Sequence, residues 1–139
     1  MRKVSVLIGI CTLVALALTL LAQAPTDLSP IMKDVQATTG KMRMDMMNNA
    51  AADVATDAQK LQQDFTQAMG FFKANKAPDA AEMAKANVDA AGEVMKAAKA
   101  NDLDAAKAKA GAIQKSCKAC HDVHREGDGK ATPYKFKAQ

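Results

Sequence analysis

The sequence predicts an all-α protein, an up-down-up-down four-helix bundle behind an N-terminal signal segment. Three observations predict it. Apolar residues recur at intervals of three and four over four stretches of about 20 residues each. The composition is 49% hydrophobic, with no Trp, one Tyr and four Phe, and much of the apolar share is alanine, the strongest helix former. Val, Ile and Thr never build an alternating run of strand length. A chain of 139 residues then makes one domain plus a processing segment. An Ala-lined interior buries little apolar area per residue, so a large flat cofactor would help to fill it.

The N-terminal segment reads as targeting. "MRK" is a positive n-region, Val4 to Ala22 is a charge-free and mostly apolar run, and "AQA" at Ala22 to Ala24 has the form of a cleavage site. Pro25 would follow the cut and fits a protease cleft badly. The run also approaches the about 20 residues that span a bilayer. Residues 1–24 are therefore read as a signal peptide, with an uncleaved membrane anchor as the alternative, and residues 25–139 as the folded domain. Both readings place the domain in the periplasm. Cys11 lies inside the apolar run. A lipoprotein site wants a small residue before the cysteine, and Ile10 is not small, so Cys11 counts as an apolar residue.

Each helix follows from its own pattern. The first is predicted from Leu28 to Met47, with Pro30 in its opening turn, where proline is tolerated. Met32, Val35, Thr39, Met42 and Met46 form its stripe, within about 80° of arc at about 100° per residue. The second runs from Ala52 to Ala74, with Val54, Ala58, Leu61, Phe65, Ala68 and Phe72 aligned, and "NKAP" breaks it. The third runs from Asp79 to Ala100, with Ala80, Ala84, Val88, Ala91, Met95 and Ala98 on its face. Asp102 is a natural N-cap for the fourth, Leu103 to Arg125, whose stripe is Leu103, Ala106, Ala110, Ile113 and Cys117. Gly127 and Gly129 are expected to end that helix. The tail "KATPYKFKAQ" has no readable role. Short connections between helices of this length predict the bundle.

Charge and cysteine usage narrow the function classes. The formal net charge is +4, and removal of Arg2 and Lys3 halves it. The excess is spread along the chain, so there is no nucleic-acid footprint. After export two cysteines remain, Cys117 and Cys120. A disulfide between them inside a continuous helix is poorly placed and would constrain little of the unfolded chain.

The stretch "KSCKACHDVHR", residues 115–125, holds the chemistry. Cys-x-x-Cys-His is the attachment pattern for haem c. Two thiols add across the two porphyrin vinyl groups, and the adjacent histidine reaches the iron. On a helix Cys117, Cys120, His121 and His124 span about 100° of arc and face one way. A zinc site is the first rival, but one straight helix cannot wrap four ligands tetrahedrally around an ion. A thiol–disulfide redox centre is the second. It needs a helix N-terminus to lower the thiol pKa, and this motif lies near a C-terminus.

A four-helix bundle ending in "CKACHDVHR" resembles the class II c-type cytochromes, the cytochrome c-prime and cytochrome c-556 family. The resemblance covers the mature chain in layout and is specific at the haem motif. It implies one covalently attached haem c, with Cys117 and Cys120 as thioether anchors and His121 as iron ligand. Arg125 matches the family's arginine and is implied to tune the haem. His124 stands where an aromatic residue is usual. The opening "TDLSPIMKDV" is similar to the start of the periplasmic b-type cytochromes of the same fold, in which an early methionine ligates iron. That methionine corresponds to Met32.

The resemblance leaves two functions open, separated by the sixth iron ligand. With the haem between the first and fourth helices, Met32 is level with His121. Met42 and Met46 lie roughly 15 and 21 Å further along at the helical rise. His/Met ligation suits electron transfer, and no acid–base pair is placed for substrate chemistry. The chain is therefore read as an exported electron carrier, not an enzyme, with His121 and Met32 as metal ligands. The alternative is a high-spin, open-site cytochrome that binds small gases. An alternative of another class is a structural metal-binding helical bundle. The expected partners are redox proteins, with a membrane only if the N-terminal segment is retained. The resemblance also allows a homodimer.

Overall fold

The computed structural model describes residues 24–128 and 134–138. Residues 1–23 of the segment assigned to export, Cys11 among them, lie outside the described residues. Four helices make up the structure: α1 Ser29–Met47, α2 Ala51–Ala74, α3 Pro78–Lys99 and α4 Leu103–His124. A two-stranded antiparallel ribbon follows, β1 Arg125–Glu126 against β2 Lys135–Phe136, with Arg125 opposite Phe136. The all-helical prediction holds, and each helix boundary falls within a residue or so of its expected place. No helix among the described residues is long and apolar enough to cross a membrane.

Three connections share one design. Asn49, Lys76 and Asn101 sit between consecutive helices at φ of 57°, 56° and 59°. After each, a backbone N–H reaches back into the preceding helix: Ala50 to the Asp45 carbonyl, Ala77 to Phe72 and Asp102 to Ala97, all at 2.9–3.0 Å. These bonds satisfy carbonyls that a helix end would otherwise leave open. Asn tolerates the left-handed conformation, whereas Lys has no local hydrogen bond to offset it. Lys76→Gly is therefore expected to stabilise the fold by about 0.5–1 kcal/mol, the left-handed cost relieved less the added unfolded-chain entropy. Urea unfolding should show a higher midpoint at unchanged slope; an unchanged or lower midpoint would contradict it. Asp102 caps α4 as expected, its Oδ1 accepting from Ala105 N–H at 2.9 Å.

Consecutive helices pack against each other, while α1 and α4 do not approach one another in this way. The buried core includes Ile31, Val35, Met42 and Met46 of α1, Val54, Ala58, Leu61, Phe65, Ala68 and Phe72 of α2, Ala80, Ala84, Ala91 and Val94 of α3, and Ala106 and Ile113 of α4. Across α1 and α2 run two charged bridges. Lys41 Nζ lies 2.6 Å from Asp45 Oδ2 and 3.1 Å from Asp57 Oδ1. Lys60 pairs with Asp64 and lies 3.5 Å from Asp34.

One end of α2 gathers the parts that matter for the site. A Cβ on Gly70 would meet the Pro25 ring at 3.9 Å, which brings the lead into α1 against the end of α2. Phe71 and Phe72 meet Phe136, which stacks on His124 at the end of α4. Toward the other end of α2, Asn49 shares a hollow with Asn101, Asp102 and Leu103.

Candidate functional site

The candidate residues occupy the last two turns of α4. Cys117, Cys120 and His121 are all half-buried, and both thiols are free. Cys117 packs against the core, as do Met32 and Leu28 of the chain's beginning and Met69 of α2. Met32 is half-buried, whereas its neighbour Ile31 is buried. The early part of α1 thus turns Ile31 into the bundle and leaves Met32 partly open. Met42 and Met46 are buried in the core, and Met44 and Met47 are exposed.

Burial sets the protonation of the site. It raises the Cys117 thiol above its ordinary value and, with the charges of Cys117 and Asp79, pushes Cys120 up to about 11. Both are therefore thiols at neutral pH. A thiol–disulfide centre needs the opposite shift, so the environment disfavours that chemistry. In the folded, haem-free chain, Cys120 should alkylate with iodoacetamide about tenfold more slowly at pH 8 than in the unfolded chain, fewer thiolates being partly offset by higher intrinsic nucleophilicity. The gap should close as pH approaches 11. Equal rates at pH 8 would contradict the burial effect.

His121 moves the other way. Burial, and then the nearby Arg125 charge, lower its pKa, with Asp122 opposing. The shift favours the neutral imidazole, the form that ligates a metal. Arg125 itself is exposed, and its guanidinium lies 4.2 Å over the Tyr134 ring. Its charge reaches His121 from beyond the helix end.

His124 sits apart from this group. It is 3% exposed, and its Nδ1 donates to the Lys137 carbonyl at 3.1 Å. Nε2 lies 3.0 Å from Asp79 Oδ2, yet the alignment gives it no hydrogen bond. The ring is held between the α3 N-terminus and the tail. Sequence reasoning placed it on the face of the cysteines and assigned the tail no role. Its signal was the "YKF" of the tail, an aromatic residue in a polar run that needed somewhere to pack.

Among the described residues no group of three or more His, Cys, Asp and Glu side chains is arranged to hold a metal ion. A haem brings four nitrogens of its own, so it asks the chain for only one or two ligands. The donor set fits that need: two unpaired thiols at the right spacing and an imidazole directly after them. Comparison with protein-family models, curated proteins and solved structures gave no match.

Proposed function

We propose that this chain is an exported monohaem c-type cytochrome of the class II kind, and that it carries electrons through a low-spin, His/Met-ligated haem. The observation that carries the reading is the pair of free, half-buried thiols one helical turn apart, followed at once by a half-buried imidazole. Haem supplies a one-electron couple when bound. The chain's residues do the rest. Cys117 and Cys120 would anchor the porphyrin edge, and His121 would offer its lone pair to the iron. Burial around the motif limits water.

An up-down-up-down arrangement supports Met32 as the second ligand. The bridges Lys41–Asp57 and Lys60–Asp34 pair α1 with α2 in opposite directions. Pro25 and His124 both lie by the end of α2 through Gly70 and the Phe71–Phe136 contact. In that arrangement the start of α1 and the end of α4 share one end of the bundle, and half-buried Met32 is level with His121. An open distal face that binds small gases is the second reading, favoured if Met32 stays a core residue, as helix-face methionines often do.

Visible spectra of the purified protein, oxidised, reduced, and reduced under carbon monoxide, test the proposal. Low-spin spectra in both states with slow or absent carbon monoxide uptake are expected. An immediate high-spin spectrum with rapid uptake would replace the electron carrier by the gas binder. A protein with no haem bands would remove both.

A further inference from the structure

We propose that residues Tyr134–Lys137 form a latch that fixes the last turn of α4 and so positions His121, with Phe136 and His124 as positioning residues. The inference rests on the proposed function for the role of His121, and on contacts alone for the latch.

The latch is built from reciprocal bonds. Lys137 N–H donates to the His124 carbonyl at 2.8 Å, satisfying one of the carbonyls that a helix C-terminus leaves open. In return His124 Nδ1–H donates to the Lys137 carbonyl at 3.1 Å. A carbonyl oxygen only accepts, so Nδ1 carries a hydrogen in this bond. Between these bonds the ribbon pairs Arg125 with Phe136 and Glu126 with Lys135, and Gly127 makes the turn out of β1 at φ 90°.

The anchor is aromatic. Phe136 lies 5.4 Å from Phe71 edge-on, 5.2 Å from Phe72, and stacks on His124 at 5.9 Å with the planes 23° apart. Arg125 adds its guanidinium over Tyr134. The tail is thus pinned to the end of α2 and to the final residue of α4. One turn back, the His121 carbonyl accepts from the Arg125 N–H, so the clamped residues and the candidate ligand share the last helical hydrogen bond. Helix ends fray unless held, and a frayed last turn would let the imidazole swing. The latch holds that turn against α2.

Phe136→Ala removes the anchor, and Phe136→Tyr keeps the ring. In the haem-loaded full chain, tryptic cleavage after Lys135 and Lys137 is followed by mass spectrometry. Phe136→Ala should be cut roughly tenfold faster than wild type, the loss expected on removing several ring contacts, and Phe136→Tyr at the wild-type rate. If Phe136→Ala fails to fold, Phe136→Leu serves, with a smaller rise in cleavage. Equal rates in wild type and the Ala or Leu variant would overturn the latch. The reduction potential should shift in the Ala variant and return in the Tyr variant; faster cleavage with an unmoved potential would overturn the positioning of His121. If the chain carries no haem, the ring proton signals of His121 are compared in the same variants. Movement in Ala but not Tyr supports the positioning even though the haem reading then fails on its own spectra, and no movement overturns it.

Discussion

Met32→Ala is expected to convert a low-spin protein into a high-spin one while leaving the haem attached. If the Met32 thioether ligates iron, its removal opens the distal face. Ferrous protein should then take up carbon monoxide quickly, and the reduction potential should fall, because methionine raises it relative to other common ligands. The weak near-infrared band of sulfur-to-iron charge transfer should disappear from the ferric spectrum. The controls are well defined by their burial. Met42 and Met46 are buried in the core, so Met42→Ala and Met46→Ala should cost about 2–5 kcal/mol of stability and leave the spin state alone. A low-spin protein indifferent to Met32 but sensitive to another methionine would keep the function and move the ligand. A wild-type protein already high-spin would favour the gas-binding reading.

The second large effect is expected from Cys117→Ala combined with Cys120→Ala. His121 remains and can still bind iron, so haem should be held weakly and leave in acidic organic solvent. The slim Ala-lined interior offers few contacts to retain it. Both thiols are free and half-buried, so their loss breaks no disulfide. Thermal unfolding of the haem-free double variant should therefore resemble that of the haem-free parent. A variant that keeps haem as firmly as wild type through denaturation would show that the thiols are not the anchors.

The helices were legible because their signal is periodic. Every residue of the α2 stripe that the pattern names is buried. The α1 stripe was less well read, because Ile31 is buried and Met32 half-buried. Adjacent apolar residues leave the pattern indifferent to a rotation of one residue, and packing decides. The buried acids Asp57 and Asp64 were also missed. They count as polar in any periodicity, and only their lysine partners, Lys41 and Lys60, make their burial tolerable. For the candidate site, the spacing of Cys117, Cys120 and His121 was plain in the sequence, since it lies within one helical turn. The surroundings of His124 were not. They depend on Asp79 and on a tail that returns from beyond Gly127, contacts between segments far apart in the chain. Of the three left-handed connections only "NKAP" was read as a helix break, and their common geometry was hidden because none places glycine at the strained position.

The central claim is that Cys117 and Cys120 hold haem by covalent bonds. It is tested most directly by denaturing the purified protein, extracting it with acidic organic solvent and weighing the polypeptide. The proposal predicts that the red colour stays with the chain, that its mass exceeds that of the processed polypeptide by one haem, and that a proteolytic fragment spanning residues 115–125 carries the addition. Colour that passes into the solvent, or a polypeptide mass without haem, would contradict it.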